Sequence, residues 1–277
     1  MGQMSLGELS GKMSVRYIEG RKLDLSFTKG VKGKIDTRIS HGYLRSCPSS
    51  SGAGRFIGPS SGNRLAKPVR IRVGSWNVGT LTGKRYELAE TLRRRNVEIL
   101  CVQETRWKGR GALKVNGYKL WFSGSRVARN GEGIIIGPPF NEYMVDVGRQ
   151  SDRIMSVRLV IQEVTYTVIS AYAPHAGLGE AEKRCFWESL DEVVRRCPLD
   201  HRLLIGGDLN GHVGMDVEGY AGVHGGFGYG ARNEEGLSIL EFAVAHDLVV
   251  VNSFFRKADA QLATFHSGGH STQIDYL

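Results

Sequence analysis

The spacing of apolar residues changes near position 69. Residues 1–66 show weak periodicity and scattered charge, with Ser- and Gly-rich stretches at 49–54 and 59–62. This pattern predicts a mostly disordered N-terminal tail that ends in a linker. From residue 67 onward, apolar residues alternate, form short blocks or recur at helical spacing, so we predict one folded domain over residues 67–277.

Within that domain, strands and helices are predicted to alternate. Apolar blocks predict strands at 71–76, 98–103, 119–122, 133–136, 155–161, 165–172, 203–207 and 248–251, with strand starts at 264–265 and 273–277. One-sided apolar spacing predicts helices at 87–95, 180–196 and 234–246. The alternation predicts an α/β fold in which helices cover packed sheets.

The net charge of +9 is concentrated in the predicted tail. Residues 1–68 contain 12 Lys/Arg and 4 Asp/Glu, whereas residues 69–277 contain 25 and 24. The tail is either a solvated basic segment or a nucleic-acid attachment, and the charge alone does not separate the two.

The cysteine spacing and the hydropathy of the chain indicate in which cellular compartment the protein is found. The four cysteines have no C-x-x-C spacing and form no zinc-ligand pattern with histidine. No apolar run reaches the ~18 residues of a membrane span, and the start lacks a secretory pattern. We therefore expect an intracellular protein, nuclear or cytoplasmic and not secreted, with no membrane partner.

Polar residues stand where the predicted buried strands end. They are Asn77, Glu104, Tyr172, Asp208, Asn210 and Asp275. Taken singly, each has an ordinary interpretation as a turn, cap or ion-pair residue. Their recurrence at successive strand ends favours a shared cleft, because carboxylates and carboxamides behind apolar strands cost stability unless they act together.

The motifs at these positions resemble those of the endonuclease/exonuclease/phosphatase superfamily. They are W-N-V at 76–78, L-C-V-Q-E-T at 100–105, S-A-Y-A-P at 170–174, L-I-G-G-D-L-N at 204–210 and Q-I-D-Y at 273–276. The resemblance covers residues 69–277 and implies a four-layer α/β sandwich of two packed mixed sheets covered by helices.

Local sequence is similar to one branch of that superfamily, the apurinic-type endonucleases of LINE retroelements and cellular proteins derived from them. Y-A-P-H-A-G at 172–177 and D-L-N-G-H-V-G at 208–214 look like that branch. Ile274-Asp275-Tyr276 looks like the nuclease form rather than the C-D-R of inositol polyphosphate phosphatases.

The resemblance implies a role for each strand-end residue. Glu104 would bind Mg²⁺ (or Mn²⁺) with Asn77 beside it, which suits the preference of Mg²⁺ for oxygen ligands and retained water. Asp208 would orient or deprotonate the attacking water. Asn210 and Tyr172 would donate hydrogen bonds to the phosphate.

Two departures from the family pattern affect the expected activity. Asp275 matches an aspartate that holds the histidine of a later S-D-H segment, whereas the printed sequence stops at Leu277. On this basis the last strands are expected to be missing and the chain to be weak or inactive as written. Gly79 stands where some family members carry an acidic residue.

The expected substrate is DNA, with RNA as an alternative. Arg106, Lys108, Arg126 and His175 are the predicted substrate-binding residues, because cations beside the strand ends suit phosphate contact. Two other functions stay open: a catalytically dead retroelement-derived protein that binds DNA or chromatin, and an RNA nuclease or phosphomonoesterase of the same superfamily. The sequence leaves the oligomeric state open.

Overall fold

The computed structural model describes residues 14–19, 69–267 and 269–277. Its larger sheet joins β1 (Ser14–Glu19), β2 (Arg70–Asn77), β3 (Ile99–Gln103), β4 (Arg110–Val115), β5 (Tyr118–Ser123) and β6 (Glu132–Ile136). Their order is β1-β2-β3-β6-β5-β4. The pair β2–β3 is parallel and the other neighbours are antiparallel.

A second sheet packs against the first. It contains β7 (Met144–Arg149), β8 (Ile154–Ile161), β9 (Val164–Tyr172), β10 (Arg202–Asp208) and β13 (Asp275–Tyr276), in the order β13-β10-β9-β8-β7. The pair β9–β10 is parallel. A separate hairpin, β11 (Phe265–Ser267) and β12 (His270–Thr272), immediately precedes β13 in the chain.

Helices connect the strands. They are α1 (Arg85–Arg95), α2 (Glu180–Arg195), α3 (Glu234–Ala245) and α4 (Asp259–Leu262), with 3₁₀ turns at Phe140–Tyr143 and Val251–Phe254. Asn96 ends α1 in the left-handed conformation, and the side chain of Asn233 caps α3 by accepting from the Gly236 N–H at 2.8 Å. In the described part of the chain, no helix has both the length and the apolar character to cross a membrane.

The core is divided into layers, as the resemblance implied. Residues such as Val73, Ile134, Met155 and Val168 fill the space between the two sheets. On the outer face of the first sheet, α1 packs through Leu88. Helix α2 covers the outer face of the second sheet, and α3 forms a further apolar cluster next to β13. The predicted four-layer α/β sandwich is confirmed.

Most predicted elements are present within a few residues of their predicted bounds, but the strand at 248–251 is wrong. The apolar run packs near α3, and its backbone bonds two different segments instead of one partner strand. The Val250 N–H donates to Val223 O at 3.0 Å, and the Val251 N–H donates to Leu277 O at 2.8 Å. The chain then turns through the 3₁₀ segment.

Strand β1 lies within the region predicted as tail. Its register pairs Ser14 with Ser75 and Glu19 with Arg70, so residues before position 66 add an edge strand to the first sheet. The other residues of the predicted tail and linker lie outside the described residues. The sequence also missed β4, β7 and β12.

Candidate active site at the strand ends

The register of both sheets brings the predicted site residues to one edge. In the first sheet, Asn77 pairs with Gln103, the residue before Glu104. In the second sheet, Asp208 on β10 stands beside Tyr172 on β9 and beside Asp275 on β13. Polar side chains from both sheets therefore meet above a rigid apolar base.

Asn77 connects the two sheets. Its Nδ2 donates to Glu104 Oε1 at 2.9 Å and to Asp208 Oδ2 at 2.8 Å. Its Oδ1 accepts from the Gly79 N–H at 3.0 Å, and Gly79 has a φ of 64°, which glycine adopts without steric cost. These bonds fix the orientation of the amide between the two carboxylates.

Glu104 accepts hydrogen bonds from three side chains. Besides Asn77, the Tyr172 hydroxyl donates to Oε1 at 2.8 Å, and the Arg106 guanidinium donates to Oε2 at 2.9 Å. Burial acts to raise the pKa of Glu104, but these hydrogen bonds and the Arg106 charge outweigh it and lower the pKa. Glu104 is therefore a carboxylate at neutral pH.

The backbone that presents Glu104 is strained. Glu104 and Arg106 have φ values of 54° and 53°, a conformation uncommon for residues with a Cβ. The neighbouring segment stabilises it: Thr105 N–H donates to Gly131 O and Arg106 N–H to Asn130 O, both at 2.9 Å. This strained turn holds the carboxylate towards Asn77 and Tyr172.

Asp208 is 2% exposed, and this burial shifts its pKa. Burial raises its pKa to about 6, and the Glu104 charge adds to the rise, whereas hydrogen bonds from Asn77 and the Asn210 N–H lower it. The Asn210 N–H lies 3.1 Å from Asp208 Oδ1. Asn210 is itself left-handed, with a φ of 48°, and its Nδ2 donates to Ala173 O at 2.8 Å.

Asp275 is buried beside Asp208. Burial raises its pKa well above the usual value, the Asp208 charge adds to the rise, and hydrogen bonds from Thr264 and the Asn77 backbone oppose it. Its Oδ1 has no hydrogen-bond partner among the described residues. An unpaired buried carboxyl oxygen is costly, which marks this atom as a position for a further donor.

The predicted substrate-binding residues do not form one cluster. Arg106 bonds Glu104 and lines a shallow depression of about 420 Å³ with Val127, Ala128 and Arg129. Lys108 and Arg126 are exposed. The exposed ring of His175 accepts from the Gly177 N–H at 3.1 Å. Within the described residues, those three do not hydrogen-bond the side chains at the strand ends. Arg129, at the end of the basic loop 126–129, lines this depression together with Arg106.

The donor set fits Mg²⁺ better than a transition metal. Glu104 offers carboxylate oxygens, and Mg²⁺ is commonly held by one or two carboxylates and water. Asn77 turns its Nδ2 towards Glu104 and its Oδ1 towards the Gly79 N–H, so its amide would have to rotate to become a second ligand. The described residues contain no group of three or more His, Cys, Asp or Glu side chains arranged for a metal. Arg106 occupies Glu104 Oε2, so a cation on that oxygen would have to displace the guanidinium.

A buried polar network beneath the site escaped sequence reasoning. Its members are Ser75, Gln103, Ser170 and Glu132, all of them buried. Glu132 immediately precedes the apolar segment Gly133–Ile136, and that isolated carboxylate was the available signal. Only the packing of the two sheets reveals what it contacts.

The fold and this arrangement of strand ends are those of a phosphoesterase sandwich. The chain belongs to the Endonuclease/Exonuclease/phosphatase family, whose profile matches residues 74–232. The matched segment includes Asn77, Glu104, Tyr172, Asp208 and Asn210.

Among curated proteins, the chain is similar to Craniofacial development protein 2. It is 32% identical to the Bos taurus protein over 209 residues, which are 74% of this chain and 35% of that protein. It is 30% identical to the Tragulus javanicus protein over 209 residues, 74% of this chain and 36% of that protein. The chain thus spans about a third of the length of these relatives.

A solved structure shows the same fold. The endonuclease domain of TRAS1, a telomere-specific non-LTR retrotransposon, superposes with a TM-score of 0.50 at 19% identity. The match covers 74% of this chain and 82% of that domain. The family match confirms the superfamily that the motifs indicated.

Proposed function

We propose that the chain is a Mg²⁺-dependent phosphodiester hydrolase of retroelement origin and that it cleaves DNA. The observation that carries the proposal is the Asn77 amide, which lies within 2.9 Å of Glu104 and 2.8 Å of Asp208. One carboxylate with a lowered pKa and one with a raised pKa thus share a single donor. Environments that push two pKa values apart are typical of sites that assign separate roles to two acids.

Glu104 and Asn77 would hold the metal, which supplies positive charge for the phosphate when bound. Asp208 would orient the attacking water and accept its proton, for which a pKa of about 6 is well placed near neutral pH. Burial and the Glu104 charge raise the pKa of Tyr172, so its hydroxyl stays protonated and available as a donor. With Asn210 it would stabilise charge growing on the phosphate.

DNA is the substrate that the surroundings favour. Arg106 and Arg129 line the depression next to Glu104 and provide cations for a phosphate backbone. The TRAS1 endonuclease domain has the same fold. RNA and phosphomonoesters are the competing substrates, because contacts to phosphate do not distinguish one sugar or base from another.

Protonation of the leaving oxygen has no assigned residue. In the described part of the chain, no histidine hydrogen-bonds Asp275, whose Oδ1 is unpartnered. A missing acid or electrostatic group costs roughly 10²–10⁴-fold in rate. We therefore expect slow cleavage by this chain.

A matched set of labelled substrates tests the proposal. Duplex DNA, the same duplex with one abasic site, a single-stranded RNA of that sequence and a 3′-phosphorylated strand are incubated with Mg²⁺, Mn²⁺ or EDTA. Cleavage of DNA that needs the metal and is lost in Glu104→Gln supports the proposal. Faster cleavage of RNA, or release of phosphate alone, would contradict the assignment of DNA as substrate.

A second candidate function is DNA binding without cleavage. The Arg106–Glu104 ion pair favours it, because it neutralises the proposed metal ligand. A gel-shift titration discriminates the two functions. Binding of equal strength in Mg²⁺ and EDTA, with no product after prolonged incubation, would establish the binding protein and exclude the hydrolase.

A further inference from the structure

A chain of buried hydrogen bonds crosses between the two sheets beneath the strand ends. Ser75 Oγ donates to Gln103 Oε1 at 3.2 Å, and Gln103 Nε2 donates to Ser170 Oγ at 3.1 Å. The Ser170 hydroxyl in turn donates to Glu132 Oε2. The network therefore runs from β2 and β3 to β9 and returns to β6.

Three strands, β2, β3 and β9, carry residues of the buried network, and residues of the site lie close to them on the same strand or directly after it. Ser75 precedes Asn77 by two residues, Gln103 immediately precedes Glu104, and Ser170 precedes Tyr172 by two residues. Residues two apart on a strand project from the same face. The buried bonds therefore lie directly below the contacts among Asn77, Glu104 and Tyr172.

Glu132 is the last residue of the network, and its burial costs stability. Its side chain is fully buried, and its Oε1 has no hydrogen-bond partner among the described residues. Burial raises its pKa well above the usual value, and the charges of Asp208 and Asp152 add to the rise. The Ser170 hydrogen bond and the Arg153 charge oppose it. A buried polar group with one unpaired atom destabilises the folded state.

Glu132 destabilises the fold but lies below the contact between Glu104 and Tyr172, which suggests a role in the geometry of that contact. We infer that Glu132 is a positioning residue: through Ser170 and Gln103 it sets the separation of the strand ends that carry Glu104 and Tyr172. The observable consequence is the 2.8 Å contact between the Tyr172 hydroxyl and Glu104 Oε1. The catalytic meaning of that contact rests on the proposed function, whereas the contact itself does not.

Three variants separate positioning from simple packing. Glu132→Leu removes the acceptor and the orphaned oxygen at similar volume, and Glu132→Gln keeps an acceptor for Ser170. Thr167→Val is the matched control, because Thr167 is a buried polar residue on β9 that bonds His201 at 3.0 Å, outside the network. For each variant, the melting temperature, a crystal structure and the rate of Mg²⁺-dependent nicking over a range of DNA concentrations are measured.

In Glu132→Leu we expect an unchanged or higher melting temperature, because the unpaired carboxyl is gone. The Tyr172–Glu104 contact should open beyond 3.5 Å, and the rate should fall about 10- to 100-fold with little change in KM, as is common when a supporting partner is lost. Glu132→Gln should restore the contact and most of the rate. Thr167→Val should keep both.

Parallel loss of melting temperature and rate in Glu132→Leu, or failure of this variant to fold, would show a structural role and overturn the inference. An intact 2.8 Å contact in folded Glu132→Leu would overturn it as well. Failure of the proposed function is recognised separately, as a wild-type chain that does not nick DNA. The contact in the crystal structures then decides the positioning role alone.

Discussion

The side-chain amide of Asn77 donates a 2.8 Å hydrogen bond to Asp208, 131 positions later in the chain. The bond joins the end of β2 in the first sheet to the end of β10 in the second. Because the same amide also bonds Glu104, a single residue sets the distance between the proposed metal ligand and the proposed base.

Replacing Asn77 with Ala should lower the nicking rate by about 10²–10³-fold, the usual effect of losing one preorganised donor at a reacting centre. The affinity for DNA should change little, since Asn77 does not line the depression that contains Arg106 and Arg129. Steady-state nicking and gel-shift binding measure the two quantities. Asn141→Ala is the control, because the Asn141 side chain donates to a loop carbonyl, Gly117 O at 2.9 Å, and not to a strand-end residue. Equal losses in both variants would remove Asn77 from the site.

The stability of the metal-free protein should fall as pH rises through the titration of Asp208. Burial raises the pKa of Asp208 from 3.8 to about 6, so the folded state binds a proton that the unfolded chain has released. The contribution of Asp208 to the free energy of unfolding is favourable below about pH 4 and is lost by about pH 7. In EDTA, Asp208→Asn should therefore be more stable than wild type at pH 8, by on the order of 1–3 kcal/mol.

Urea unfolding at pH 5 and pH 8 checks this prediction. Asp216→Asn is the control, since Asp216 is exposed and caps the Glu218 N–H at 2.8 Å. An Asp208→Asn protein that is less stable than wild type at pH 8 would contradict the burial account.

Arg106→Gln should tighten metal binding and weaken DNA binding. The guanidinium lies 2.9 Å from Glu104 Oε2, so its removal frees an oxygen for Mg²⁺, while a cation proposed to bind the phosphate backbone is lost. We expect the half-saturating Mg²⁺ concentration to fall by about 3- to 10-fold, the change produced by a partly exposed ion pair of roughly 1 kcal/mol.

The Mg²⁺ dependence of nicking and the salt dependence of gel-shift binding give both values. Arg158→Gln is a fitting control, since Arg158 also makes a half-exposed ion pair, with Asp146 at 2.6 Å. A higher Mg²⁺ requirement in Arg106→Gln would mean that Arg106 supports the metal site rather than competing for it.

Gly131→Ala should disable the site by moving the turn that carries Glu104. Gly131 has a φ of 115°, and an added Cβ would meet Thr105 Oγ1 at 2.3 Å. Gly219→Ala makes the matched comparison, because Gly219 also has a positive φ, 78°, but open space around its Cβ position. Both variants should lose about 1 kcal/mol from the backbone conformation, and only Gly131→Ala should lose nicking. Similar rates in the two variants would show that the turn tolerates displacement.

The sequence predicted the layers and the strand ends because both depend on local patterns. Apolar blocks mark the buried strands, and the polar residue that ends each block is visible without knowing its partner. Strands β4 and β7 escaped prediction because solvent-facing residues such as Lys114 and Asp146 interrupt the apolar pattern. The run at 248–251 misled for the opposite reason, since its apolar residues pack near α3 without pairing in a sheet.

The finer geometry of the site depends on contacts between distant segments. The left-handed turn at Glu104 is held by Asn130 and Gly131, and neither residue signals this in the sequence. The role of Glu132 depends on Ser170, which faces it from the other sheet. Arg126 and Arg129 belong to one basic loop, and only the fold shows that Arg129 lines the depression beside Arg106.

The central claim is that Glu104 belongs to a metal-dependent phosphodiesterase site, and nicking of supercoiled plasmid tests it most directly. Wild type, Glu104→Gln and the exposed control Glu142→Gln are compared in Mg²⁺ and in EDTA. The account predicts slow nicking in Mg²⁺ by wild type and Glu142→Gln, none in EDTA, and a loss of at least about 10²-fold in Glu104→Gln. Nicking that survives in Glu104→Gln, or no nicking by folded wild-type protein, would contradict it.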